Sequence, residues 1–100
     1  MSITILHQED TNTIVVAGRI DTLTANQLEA QLLPAITEDS ANITIDCSDV
    51  DYISSTGLRV FILADKKANQ LNGTVTIKGL DDFLKDIFEI SGLTDFFTFV

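Results

Sequence analysis

The feature that most restricts the fold is a helical pattern held between two strand-like runs. From Gly57 onward, Val60, Phe61, Ala64, Ala68 and Leu71 recur at steps of three and four, so they share one helical face, and Asn72 with Gly73 supplies the stop. Before it, Ile43, Ile45 and Cys47 alternate with Thr44 and Asp46; after it come Val75 and Ile77. Strands joined through a helix pair in parallel, by a right-handed crossover. A sheet with helices packed on it is therefore the expected core.

The flanking sequence extends this unit in both directions. Ile3, Ile5 and His7 alternate with Thr4 and Leu6, and a β-rich run from Thr13 to Ile20 follows the polar Glu9–Asn12 segment, which predicts a hairpin. Thr24 and Gln27, with Leu23 and Leu28 around them, have the spacing of a capping box with an apolar staple, so a helix is expected from about residue 24. Leu28, Leu32 and Ile36 would face the sheet, and Pro34 should kink or end the helix near Leu33. The Ser48–Tyr52 segment is expected to carry the chain off the sheet. Asp81 starts a third helix with an apolar stripe of Phe83, Leu84, Ile87 and Phe88 that ends before Gly92, and Phe96–Val100 suits a last strand. The order β-β-α-β-α-β-α-β defines a small α/β sandwich with a mixed sheet.

With 100 residues, 45% of them hydrophobic, the chain can build one core, and residues 1–100 are expected to form one domain. Six basic residues against 15 acidic ones give a net charge of −9, which repels phosphate backbones and argues against nucleic acid. Such a surface suits a more basic protein partner. Cys47 is the single cysteine, so neither an internal disulfide nor a multi-cysteine zinc site can form, in keeping with a reducing compartment. Met1–Asp10 lacks the pattern of a signal peptide, and no apolar run reaches the ~18 residues needed to span a bilayer. The reading is a complete cytosolic protein, monomeric alone and with no membrane partner.

Chemistry is sparse. His7 is the only histidine and sits in a strand pattern, which favours an ordinary sheet position over a metal or catalytic role. Asp46, Asp49 and Asp51 lack the glycine and closing glutamate of a calcium loop. There is no GxGxxG, no GxxxxGK[ST] and no GxSxG elbow. No metal, cofactor or catalytic residue is expected, and the chain is read as a non-enzyme. What remains is Asp51–Leu58, where Ser54, Ser55 and Thr56 meet a strand-to-helix junction. Ser54 or Ser55 could cap the helix, worth about 1 kcal/mol. The same helix end would also stabilise a phosphate carried on the capping serine. Gly57, with no side chain, would let another protein come close to the hydroxyls.

Val50–Leu58 resembles the phosphorylation motif of the bacterial anti-sigma factor antagonists, the STAS domain family. Gly18–Ala25, GRIDTLTA, is similar to the family's segment between second strand and first helix. The resemblance implies partner switching in the cytoplasm as part of transcription regulation. The unphosphorylated antagonist holds an anti-sigma factor that is also a serine kinase, and phosphorylation ends the complex. It also implies a serine phosphatase as a candidate for the reverse step, and ATP that belongs to the kinase. It assigns the acceptor to Ser55, with Ser54 second, and places Asp21, Thr22, Ser54, Ser55, Thr56, Gly57 and Leu58 at the partner surface. Many members have aspartate where this chain has Ser54. The alternative is a constitutive STAS-type subunit, for example beside a transporter ATPase, in which Ser55 only caps its helix. Leu58 and Ile62 lie off the main stripe of their helix and are expected either to pack against Phe83 and Phe88 or to form an exposed patch.

Overall fold

A computed structural model describes the backbone of residues 2–8 and 11–100, with side chains for 2–4 and 12–100. The elements are β1 (Ser2–Gln8), β2 (Thr11–Ile20), α1 (Thr22–Ala35), β3 (Asn42–Ile53), α2 (Ser55–Gln70), β4 (Val75–Lys78), α3 (Asp82–Ile90) and β5 (Thr98–Phe99). A single 3-10 turn, Thr94–Phe96, precedes β5. The sheet order is β1-β2-β3-β4-β5, with β1 antiparallel to β2 and every other pair parallel. This is the mixed sheet and element order expected from the sequence. His7 falls in β1 opposite Asn12, while Glu9 and Asp10 of the expected turn lie outside the described residues.

Each crossover steps one strand in the same direction, so right-handed connections put all three helices on one face of the sheet. The burial pattern agrees. Ile14 and Val16 of β2, Ile43, Ile45 and Cys47 of β3, and Val75 and Ile77 of β4 are buried. Thr13, Val15, Thr44, Asp46 and Thr76, between them, are only half-buried. Val60, Phe61, Ala64 and Ala68 of α2 close the core as their spacing requires, with Leu71 half-buried at the end. Asn72 adopts the left-handed conformation at φ 63°, and a Cβ on Gly73 would stand 1.9 Å from the Ala41 carbonyl oxygen. The Asn-Gly stop is thus fixed by both backbone angle and space. Phe88 meets Phe61 edge-to-face at 5.6 Å and Phe97 at 5.7 Å, which seats α3 and the C-terminal segment on α2.

Several boundaries differ from expectation. α1 begins at Thr22, with Asp21 as its cap rather than Thr24, and extends through Pro34 to Ala35. Proline in the last turn removes one amide, and the Leu33 carbonyl there accepts from the Ile36 amide and from Lys67 Nζ. Ser48–Tyr52 does not leave the sheet. β3 continues to Ile53, with register shifts between Val15 and Ala17 and between Gly18 and Arg19 of β2. Each shift places an extra β3 residue opposite β2. The polar Ser48, Asp49 and Asp51 are exposed as a result, while Val50 and Ile53 turn inward. Phe83 is 70% exposed and so lies off the buried stripe of α3, which is formed by Leu84 and Phe88 with Ile87 at its margin.

Candidate functional site

β2 and β3 run parallel and end together, with Ile20 paired to Ile53. The Ser54 amide donates to the Ile20 carbonyl at 2.8 Å, so the residues that follow, Asp21–Thr22 on one side and Ser54–Ser55 on the other, emerge side by side at the sheet edge. Both strands lead straight into helices there, whose unpaired first amides face the same rim.

Asp21 organises the α1 side. Its Oδ1 accepts from the Leu23 amide at 3.1 Å and the Thr24 amide at 3.0 Å. Its own amide donates to Thr24 Oγ1 at 2.9 Å. The Thr24 hydroxyl faces two acceptors, Arg19 O at 2.7 Å and Asp21 Oδ1 at 3.0 Å. The capping box therefore closes between Asp21 and Thr24, not between Thr24 and Gln27. The Thr24 amide and hydroxyl, with the Leu23 amide, hold the Asp21 carboxyl below the usual carboxylate range. Thr22 and Leu23 are exposed beside it. On β2, the Arg19 guanidinium lies 4.2 Å from the centroid of the Tyr52 ring on β3.

On the α2 side the two serines have different tasks. Ser54, in extended conformation, is the cap, and its Oγ accepts from the Gly57 amide at 3.1 Å. Its side chain is half-buried. Ser55 is the first helical residue and is exposed. A role for Ser55 as the cap, as in the constitutive-subunit alternative, is thus corrected: Ser54 has the non-helical backbone a cap needs. Thr56 and Leu58 are half-buried. Gly57 is buried, which corrects its expected role as an opening for a partner. A Cβ there would lie 2.8 Å from Ile20 Cγ2 and 3.0 Å from Ile53 Cγ2. Its missing side chain lets α2 sit down on the ends of β2 and β3.

The structure therefore brings Asp21, Thr22, Ser54 and Ser55 to one rim, with Thr56 and Leu58 beside them and Gly57 beneath. Leu58 and Ile62 pack against the core but remain half-buried, so the choice between packing and patch divides between the two. Sequence reasoning missed Asp21 as the cap, although Asp-x-x-Thr carries that signal. It also missed the Arg19–Tyr52 stack, whose register depends on the β3 bulges. Among the described residues, no three His, Cys, Asp or Glu side chains gather in a way that could hold a metal, and no helix is long and apolar enough to cross a membrane.

A parallel β-α junction with Ser54 as the helix cap and Ser55 exposed beside it, on a five-stranded mixed sheet, defines the class as a small α/β domain. A family model described as "Mlab, STAS domain" matches residues 3–100, and the chain belongs to the STAS domain family. Two curated relatives are anti-sigma-B factor antagonists. The one from Listeria monocytogenes is 39% identical over 82 residues, covering 82% of this chain and 72% of the relative. The one from Bacillus subtilis is 32% identical over 95 residues, covering 95% and 86%. Among solved structures, the Bacillus cell fate determinant SpoIIAA in its phosphorylated form superposes with a TM-score of 0.78 at 16% identity, over 99% of this chain and 91% of that one.

Proposed function

We propose that this chain is a phospho-switched anti-sigma factor antagonist. Its partner is an anti-sigma factor that is also a serine kinase, its phosphorylation site is Ser55, and residues 1–100 act as one non-catalytic, monomeric domain in the cytoplasm. The observation that carries the reading is the division between the two serines: Ser54 is engaged as the cap, while Ser55 is exposed at the first position of α2. The relatives named anti-sigma-B factor antagonists support the partner class.

The chemistry needs little from this chain. The Ser55 hydroxyl attacks the γ-phosphorus of ATP held by the kinase, ADP leaves, and the hydroxyl proton passes to a base of the kinase. The product carries a charge of about −1.5 to −2 at the start of a helix, where the first amides and the dipole favour it. Phosphorylation can thus leave the fold intact while placing charge in the middle of a docking surface made by Asp21, Thr22, Ser54, Thr56 and Leu58. Gly57 contributes from below by setting the height of α2. A serine phosphatase would restore the binding form.

The test is incubation with the anti-sigma factor kinase of the same organism and ATP, followed by phosphosite mapping and a binding measurement. Phosphate is expected on Ser55, with a weaker complex afterwards, and Ser55→Asp should weaken it too. Full labelling of a Ser55→Ala protein would refute the site. A stable complex unaffected by Ser55→Asp, with no labelling of the wild type, would refute the switch and indicate a constitutive subunit.

A further inference from the structure

The apolar arc of α3 is wider than the part the fold covers. Leu84 and Phe88 are buried, yet Phe83 is 70% and Ile90 85% exposed. These two are seven residues apart, almost in line on a helix, and half-buried Ile87 stands between them, so the three form a ridge about 10 Å long. Phe83 lies in the first turn of α3, so the ridge starts at the sheet edge from which α2 also starts. Exposed Asp82, Asp86 and Glu89 fall along one flank of the ridge, within about 120° of Phe83 on the side away from the core, and the one cation of that side, exposed Lys85, lies behind them at about 160°.

We propose that the Phe83–Ile87–Ile90 ridge is a docking surface for a basic amphipathic helix of another protein. The apolar ridge would meet the partner's apolar stripe, and the acidic flank its Lys or Arg residues. Charge decides against the other occupants. A second copy would bring the same acidic flank and a net charge of −9 to the contact, and an anionic bilayer is repelled in the same way. The proposal does not rest on phosphorylation at Ser55.

The probe is a synthetic helical peptide with Leu on one face and Lys on the other, titrated into isotope-labelled protein while backbone amide signals are followed by NMR. Shifts are expected to concentrate on residues 82–91 and to weaken as salt rises. A Phe83→Ser/Ile90→Ser protein should bind at least about tenfold more weakly while melting near the wild-type temperature, since both positions are exposed. Shifts centred elsewhere on wild-type protein would overturn the proposal. So would equal binding by a peptide with Glu in place of Lys, or concentration-dependent shifts of the same residues with no peptide present, which would indicate a second copy.

Discussion

Gly57→Ala tests how Ser55, the proposed acceptor, is positioned. A new methyl at residue 57 would lie 2.8 Å from Ile20 Cγ2, 3.0 Å from Ile53 Cγ2 and 3.3 Å from the Ile20 carbonyl oxygen. Carbon atoms in contact sit about 3.5–4.0 Å apart, so the first of these is short by roughly 0.7 Å. Nothing nearby yields cheaply, because Ile20 and Ile53 are buried and the Ile20 carbonyl is fixed by the Ser54 amide. Overpacking of this kind costs about 1–3 kcal/mol. Alanine returns part of this through its helix preference over glycine, at most ~1 kcal/mol. The net expectation is a loss of roughly 1–2 kcal/mol, or a Tm lower by about 5–15 °C for a domain of this size.

The same clash must lift the first turn of α2, lengthening the 2.8 Å Ser54–Ile20 hydrogen bond and shifting Ser55 outward. Urea unfolding gives the stability change, and the rate of kinase labelling reads the displacement. Slower labelling of a still-folded Gly57→Ala protein is expected. A protein as stable as wild type, or more stable, would refute the close approach of α2 to the sheet, since it would mean that ordinary helix propensity decides at this position.

Ser54→Ala should remove the cap on Gly57 and destabilise the domain by about 0.5–2 kcal/mol in chemical denaturation, while leaving Ser55 able to accept phosphate; loss of labelling would mean that Ser54 is the acceptor. Burial pushes the Asp65 carboxyl above its ordinary range, against the smaller opposing effect of the Asn69 side-chain hydrogen bond. A raised folded-state value means that ionisation of Asp65 opposes folding, so its penalty is full at neutral pH and vanishes below the unfolded-state carboxylate pKa. Asp65→Asn is therefore expected to raise the melting temperature at pH 7 and to lose that advantage in acid. An advantage independent of pH would point to packing instead.

Periodicity made the strands and helices readable where one face is buried and the other is not. α2 is the clearest case, because Val60, Phe61, Ala64 and Ala68 pack inward on the expected face. Where two residues could do the same task, the sequence left the choice open. Asp21 and Thr24 are both good caps, and Gln27 three residues after Thr24 imitates a box that the fold closes three residues earlier. β3 is harder to read because its bulges break the alternation that marks a strand, so Ser48, Asp49 and Asp51 look like a loop although all three lie within the strand and Asp49 pairs with Ala17 of β2. Gly57 follows three hydroxyl-bearing residues and suggests an opening, but its helical phase points it at Ile20 and Ile53. Phe83 misled for the opposite reason: an apolar residue in an amphipathic segment reads as core, and only packing shows that Leu84 and Phe88 already fill the space.

The separation of the cap, Ser54, from the proposed acceptor, Ser55, bears on how such a switch would work. If the capping serine were itself phosphorylated, its Oγ would become the bridging oxygen of an ester and a weaker acceptor for the Gly57 amide, so the cap would be re-formed at each turn of the cycle. In the proposed switch Ser54 would keep that bond, and a phosphate on Ser55 would add to a helix end whose Gly57 amide is already capped. The free energy of phosphorylation need not be spent on local refolding and is available to act against the partner. Asp21 fits the same logic: its carboxylate is tied to the Leu23 and Thr24 amides, so it stays in place as a fixed negative neighbour of the rim when the new charge arrives. Binding would then be lost through charge placed on an unchanged surface, with the change in shape confined to the phosphate itself.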